Sequence, residues 1–292
     1  MTQKTLGIIG GSGLYELPGL ENKEEVRVET PFGEPSDVIV TGTLHGVRCA
    51  FLPRHGRGHR ILPSELPFRA NICAMKQLGM DAILAVSAVG SLQKKIVPGH
   101  LVLIDQFLDR TRGRTEESTF FGDGCVGHVH FAEPIWEPLR QVALEAARDT
   151  DTTVHDGGTY VCMEGPAFST RAESKLYHSW GMDVIGMTNL QEAKLAHEAE
   201  LAYATVALAT DYDSWNEEVG SVKIEDILKV IHDNVERAKK VVDGVAKRLG
   251  ALAEPISAKG VAEHAILTDR ALIPAETRKR LEPIFGDYLK GS

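Results

Sequence analysis

No run of about 18 consecutive apolar residues occurs in the chain, so a membrane-spanning helix is not expected. The opening segment M-T-Q-K-T-L-G-I-I-G-G also lacks the long apolar stretch of a signal peptide. Basic charge is short as well: 32 Lys and Arg against 41 Asp and Glu give a formal net charge of −9. A general nucleic-acid binder would carry the opposite excess, although a local anion site stays open. Cysteine is sparse, and Cys49, Cys73, Cys125 and Cys162 share no C-x-x-C or other metal-ligand spacing. Free thiols in a reducing, cytoplasmic compartment are the expectation. Internal repeats, low-complexity tracts and a linker that cleanly divides the chain are also missing.

What is present reads as an ordinary globular protein: 292 residues, 43% hydrophobic and 25% charged, enough for one large domain or two smaller ones. An apolar strand over residues 6–9 runs into Gly10-Gly11-Ser12-Gly13, where glycines permit a tight turn and backbone N–H groups and a hydroxyl face an anion or simply a loop. The spacing fits neither a dinucleotide fingerprint nor a Walker loop. Segments 37–44 and 47–52 flank His45-Gly46 as a hairpin, and the second delivers P-R-H-G-R-G-H-R, a basic loop in an acidic protein. That loop is either solvated or an anion cradle in which Arg54 and His55 donate.

Helical spacing predicts helices over 66–78, 136–148, 190–200 and 223–249, and one capped by Ser169 or Thr170 that runs to residue 180. Between them lie apolar strands over 81–87, 101–107, 159–164, 183–187 and 202–213. Continuous apolar strands between helices imply an α/β sheet covered on both faces. Small or polar residues recur at the strand ends, at Ser12, Arg54-His55, Ser87-Ala88 and Thr188, which is where ligand sites collect in such sheets.

The last strand stops on Asp211 and Asp213. If the chain stays extended through Tyr212, both carboxylates face one pocket, and like charges held close let one keep a proton at neutral pH. A solvated strand end, a turn or a metal-binding D-x-D are the other readings. His128 and His130 lack Cys or carboxylate partners at metal-ligand spacing, so no metal site is expected there. The stripe Ile224, Ile227, Leu228 and Ile231 is either core or a pocket wall.

Six motifs in order, G-I-I-G-G-S-G, L-P-R-H-G-R-G-H, A-V-S-A-V-G-S-L, E-G-P-A-F-S-T-R-A-E-S, G-M-T-N-L-Q-E-A-K-L-A and A-T-D-Y-D-S-W, resemble the purine nucleoside phosphorylase superfamily. Within it the chain is similar to the branch that cleaves 5′-methylthioadenosine. The resemblance spans roughly residues 5–250 and implies an α/β fold, single-domain, with a mixed central β-sheet flanked by helices. Residues 1–253 would form the phosphorylase domain and 254–292 a C-terminal helical extension of it. It further implies a homotrimer, no nucleic-acid or membrane partner, and no cofactor beyond inorganic phosphate as co-substrate.

Carried over motif by motif, Ser12, Arg54, His55, Ser87, Ala88 and Thr188 would bind phosphate. Met187 would contact ribose and Phe168 the purine; Ile224, Ile227 and Leu228 would wall the methylthio group, and His128 would be lent by a neighbouring subunit. Asp211 and Asp213 would read the base, with Asp211 as general acid toward N7. The implied activity is phosphorolysis to adenine and 5-methylthioribose 1-phosphate, in purine and methionine salvage. Phosphorylases preferring methylthioinosine or adenosine, a hydrolytic nucleosidase and a non-catalytic nucleotide-binding module are the competing readings.

Overall fold

The computed structural model describes residues 3–11, 13–14, 16–217 and 224–290; the side chains of 224–229 and 231 lie outside that description. In chain order the strands and helices are β1 (Thr5–Gly10), β2 (Glu21–Val26), β3 (Ile39–Leu44), β4 (Val47–Pro53), α1 (Phe68–Gln77), β5 (Ala82–Ser91), β6 (Leu101–Leu103), β7 (Gln106–Arg110) and α2 (Glu137–Arg148). There follow β8 (Val154–Asp156), β9 (Thr159–Met163), α3 (Arg171–Ser179), β10 (Val184–Gly186), α4 (Asn189–Glu198), β11 (Ala202–Asp211), α5 (Ile224–Ala251) and α6 (Ala275–Leu289).

All the strands join one mixed sheet whose long path runs β2-β3-β4-β1-β5-β10-β9-β7, with β11 pairing β5 and β6, and β6 pairing β8. β5 is the hinge of this arrangement. Its first half pairs parallel with β1, its far end antiparallel with β10, and nearly its whole length parallel with β11. The apolar run I-L-A-V-S explains the position, because a strand with neighbours on both edges and helices over both faces has no side for polar groups. β1 is buried at every residue, and each fully buried Leu or Ile there contributes about 1.5–3 kcal/mol. Parallel pairing of β4, β1, β5 and β11 sets their C-terminal ends on one edge.

The helices pack in two groups, α2 with α5 against β11, and α1 with α4 against β5 and β11, joined by α6 on α1. Leu281, Ile284, Phe285 and Leu289 of α6 belong to the same apolar core as β1 and β5, and the Phe285 ring stacks on Phe121 at 4.8 Å. Glu200 fastens the C-terminal stretch by accepting from Gly260 N–H, Ala262 N–H and the Tyr288 hydroxyl. The mixed α/β sheet agrees with expectation. So do the 45–46 hairpin turn, with both residues at positive φ, and the Thr170 cap, which exchanges hydrogen bonds with Glu173.

Several boundaries differ from the sequence reading, among them β5, which runs on to Ser91 where a strand over 81–87 was expected, and the three that follow. The single strand expected over 101–107 is two, β6 and β7, because the chain changes partners at Ile104-Asp105: β6 pairs β11 and β8, β7 pairs β9, and the Asp105 carboxylate accepts Gly158 N–H at 3.0 Å. The helix expected from residue 66 starts at Phe68, after a 3-10 turn at Pro63–Glu65 and with Pro67 at the N-cap. β11 ends at Asp211 after a bulge, and does not remain extended through Tyr212.

Candidate active site

The C-terminal ends of β4, β1, β5 and β11 lie along one edge of the sheet. At the end of β4 the Arg54 N–H donates to the Gly10 carbonyl at the end of β1, which fixes the loop after β1 beside the basic loop. The Arg54 side chain turns inward and is only 3% exposed. Its Nε and Nη2 donate to the two oxygens of Glu192 at 2.5 and 3.1 Å, Nη2 donates to the Ile9 carbonyl, and Nη1 to the Val86 carbonyl at 2.9 Å. A guanidinium has five N–H donors, so one on Nη1 remains beyond these four bonds. Glu192 is fully buried on α4 and also accepts from Tyr203 Oη and Asn189 Nδ2. Burial alone would depress Arg54, but the carboxylate of Glu192 raises its pKa above the ordinary value.

The rest of the basic loop is similarly engaged with carboxylates. Arg57 pairs with Glu25 at 2.6 Å, and Arg60 approaches Asp37 at 3.7 Å. His55 stacks on His59 at 4.4 Å and sets Nδ1 2.9 Å from the Ile61 carbonyl. Because a carbonyl can only accept, Nδ1 carries the proton and Nε2 is the acceptor in the neutral ring. Desolvation pushes His55 down to about 4, helped by the Arg54 charge and opposed by the Ile61 hydrogen bond. The local positive charge read from the sequence is thus largely answered by acids or removed by burial, and the pocket offers directed N–H and O–H groups more than net charge.

Along β5, Ser87 is buried and Ala88 is exposed within an otherwise covered strand. Thr188, 4% exposed, begins α4 immediately after Met187. Met187 packs its sulfur against Gly165, where an added Cβ would come within 2.6 Å of it. The Met187 carbonyl and that of Glu164 both accept from buried Arg114, whose Nε also meets the Glu164 carboxylate at 3.0 Å. This ties the segment that carries Phe168 to the one that carries Met187. Phe168 itself is 81% exposed, an aromatic face left open beside the crevice.

The two acids meet through a turn, and not through strand alternation. Asp213 has φ +27°, and its N–H donates to Asp211 Oδ1 at 2.9 Å. Thr210 Oγ1 lies 2.7 Å from Asp211 Oδ2, so both oxygens of Asp211 have a polar partner within the turn. Asp213 accepts from the fully buried Ser174 hydroxyl at 2.5 Å. Desolvation raises the Asp213 pKa, with hydrogen bonds from Ser174, Ser214 and Ser169 opposing it and the charge of Asp211 adding to it. Gly90 of β5 sits beneath both, since a Cβ there would lie 3.2 Å from Asp211 Oδ1 and 3.2 Å from Asp213 Cβ. Trp215 then anchors the turn, stacking on His178 at 4.1 Å and donating to the Ser91 carbonyl.

Arg54, His55, Ser87, Ala88, Met187, Thr188, Phe168, Asp211 and Asp213 are therefore neighbours along one sheet edge. Ser12 lies outside the described residues, as do the side chains of Ile224, Ile227 and Leu228. His128 is elsewhere: its N–H donates to the Ala265 carbonyl, and it lines a cavity of about 510 Å³ with Phe121, Val126, Phe131, Lys194 and Glu198, none of them from the strand-end group. Among the described residues no group of three or more His, Cys, Asp or Glu side chains is arranged to hold a metal ion. Sequence reasoning did not single out Glu192, Tyr160, Arg114 or Ser174. A signal for Glu192 existed: α4 is buried on nearly every side, and a charge on such a helix needs a partner.

Buried hydroxyls and a guanidinium thus lie along the strand-end edge of a mixed α/β sheet, with a carboxylate pair further along the same edge. The sequence profile of the phosphorylase superfamily matches residues 5–247, and the chain belongs to that superfamily. It is 53% identical over 287 residues to the S-methyl-5′-thioadenosine phosphorylase of Geobacter sulfurreducens, covering 98% of this chain and 100% of that protein. It is 54% identical to the protein of the same name from Gloeobacter violaceus, over 98% of this chain and 96% of that one. Among solved structures, a methylthioadenosine phosphorylase from an antarctic soil metagenomic library superposes with a TM-score of 0.91 at 45% identity, covering 97% of this chain and 99% of that one. The methylthioadenosine phosphorylase of Schistosoma mansoni in complex with tubercidin gives 0.79 at 39% identity, over 86% and 93%.

Proposed function

We propose that the chain catalyses phosphorolysis of 5′-methylthioadenosine to adenine and 5-methylthioribose 1-phosphate, a pentosyl transfer serving purine and methionine salvage. The observation that carries the reading is the convergence on β5 of Arg54, which donates to the Val86 carbonyl, Ser87 on the same strand, and the Asp211–Asp213 pair packed over Gly90. The names of relatives about half identical to the chain support it.

Phosphate binds among Ser12, Arg54, His55, Ser87, Ala88 and Thr188, with one oxygen aimed at the anomeric carbon. Met187 lies under the ribose, Phe168 against the purine, and Ile224, Ile227 and Leu228 around the methylthio group. As the bond from the anomeric carbon to N9 breaks, its electron pair passes to the purine, and the phosphate oxygen forms the new bond to carbon. The sugar gains oxocarbenium character, which the phosphate charge stabilises. Asp211 passes a proton to N7 as general acid, assisted by Asp213, whose pKa burial raises. Asp211, the more exposed member of the pair, meets the base, and a carboxyl group there is also able to accept from the 6-amino group. A 6-oxo purine presents an acceptor there instead, so adenine-type substrates are favoured.

The chemistry requires neither metal nor organic cofactor. Residues 254–292 belong with the phosphorylase domain, and the enzyme works as a cytoplasmic homotrimer in which His128 completes a neighbour's pocket. Among the described residues no helix is long and apolar enough to cross a membrane. The test follows free base released from methylthioadenosine, adenosine and methylthioinosine with and without phosphate. Phosphate-dependent adenine release from methylthioadenosine is the expected result. Release without phosphate would make the protein a nucleosidase, and no release a binding module.

A further inference from the structure

Thr210 is the extra residue of the bulge that ends β11: Ala209 faces Val89 and Asp211 faces Gly90, while Thr210 faces neither. Its half-buried side chain reaches back to β5. Oγ1 lies 3.1 Å from the Val89 carbonyl and 2.7 Å from Asp211 Oδ2. A threonine hydroxyl has one hydrogen, and a carbonyl can only accept. Val89 and an ionised Asp211 therefore compete for the same hydrogen.

The count closes when Asp211 carries a proton on Oδ2. That proton is then donated to Thr210 Oγ1, and the Thr210 hydrogen goes to the Val89 carbonyl, so all three oxygens take part in a bond. Once Asp211 has given its proton away, the hydroxyl turns and donates to Oδ2, where the charged acceptor makes the stronger bond. Only the hydrogen has to move, because the branched Cβ of threonine keeps Oγ1 in place. Asp211 Oδ1 accepts the Asp213 N–H at 2.9 Å and is not needed for the exchange.

We propose that Thr210 is a positioning residue for the proton of the general acid: its hydroxyl accepts from the protonated Asp211 carboxyl and turns to donate to the carboxylate left when purine N7 takes that proton. The inference rests on the phosphorylase reading of the site and concerns its base end alone. The step balances within that reaction. The electron pair of the bond to N9 passes into the purine, the proton leaves Asp211 for N7, and Asp211 keeps the negative charge that the Thr210 hydrogen meets. At rest the bond between Thr210 and Asp211 is a neutral one; as the proton leaves it becomes a charged one, so its loss falls on kcat.

The variants are Thr210→Val, which keeps the branched shape and removes the hydroxyl, and Thr210→Ser, which keeps the hydroxyl. Initial rates of adenine release are measured across phosphate and methylthioadenosine concentrations for both, for Asp211→Asn and for Thr210→Val on the Asp211→Asn background, with thermal midpoints alongside. Thr210→Val should lower kcat by about three- to ten-fold, the difference between a charged and a neutral hydrogen bond, with the KM for phosphate within about two-fold. Thr210→Ser should stay within about two-fold of the wild type in kcat. On the Asp211→Asn background Thr210→Val should change kcat by less than about two-fold, since no carboxylate forms there. An unchanged kcat in Thr210→Val overturns the proposal, as does a loss that serine fails to restore. A full loss on the Asp211→Asn background, with a lowered thermal midpoint, marks a hydroxyl that only braces the bulge and overturns it too. Base release by the wild type that ignores phosphate would sink the phosphorylase reading first, and this inference with it; phosphate-dependent release with kcat intact in Thr210→Val sinks the inference alone.

Discussion

The two ends of the crevice are both made from strand termini, yet they are held by different physics. At the phosphate end Arg54 is a buried cation locked to the buried carboxylate of Glu192, with backbone carbonyls of two other strands taking its remaining bonds. At the base end Asp211 is exposed and sits in a turn braced by short-range hydrogen bonds. The first belongs to the core and, in the proposed reading, borders the phosphate; the second is mounted on the core and faces outward. A residue of the first kind should affect stability and ligand binding together, whereas one of the second should affect chemistry with the fold left intact.

Arg54→Ala tests the first half. Removing the guanidinium strands Glu192 as an uncompensated buried charge, and the expected loss of stability is about 3–5 kcal/mol, measured as a shift of the urea midpoint. Replacing both partners with apolar residues, Arg54→Met with Glu192→Leu, should recover most of that stability without restoring phosphate-dependent turnover. A single substitution that costs under about 1 kcal/mol would erase the distinction between the ends.

Asp211→Asn tests the second half. Loss of a carboxylate from the acid pair should lower kcat on methylthioadenosine by about 100-fold, the lower end of what a positioned acid contributes. Methylthioinosine should suffer much less, because an amide can donate to a 6-oxo group. The urea midpoint should stay close to that of the wild type. Equal losses on both substrates would remove the base-reading role, and a large stability loss would mean that the turn is part of the core after all.

The same division explains what could be read in the sequence. The β1, β5 and β11 runs are predominantly apolar, so their burial and their place in the sheet were legible, as was the hairpin at His45-Gly46. β2, E-N-K-E-E-V, was not: an edge strand guarded by charges has no apolar alternation to betray it. The position of Asp211 at a strand end was also visible. Its geometry with Asp213 was not, because a period-2 argument fails once the chain enters a turn at Asp213. Arg54 was legible as a basic residue but not as half of a buried pair, since its partner lies 138 residues further along the chain and nothing local links them.

A weaker effect separates the two ends by pH. Burial acts on a base at one end and an acid at the other: His55 is pushed down from 6.5 to about 4, and Asp213 is pushed up from 3.8. For His55 the unfolded chain takes up a proton below 6.5 while the folded chain resists until about 4, so the unfolded state binds more protons throughout that window. Stability must then rise with pH across it, and fall on acidification. Asp213 has the opposite sign, its contribution being present below 3.8 and lost as pH rises through its folded value. Because the His55 ring is partly open to water, its share is about 1 kcal/mol after screening. Urea unfolding at a series of pH values between 7.5 and 4.5 should therefore give a shallower slope for His55→Gln than for the wild type. Parallel slopes would mean that His55 protonates as easily in the folded protein as in the unfolded one, and the phosphate end would then carry positive charge in mild acid where the structure gives it a neutral ring.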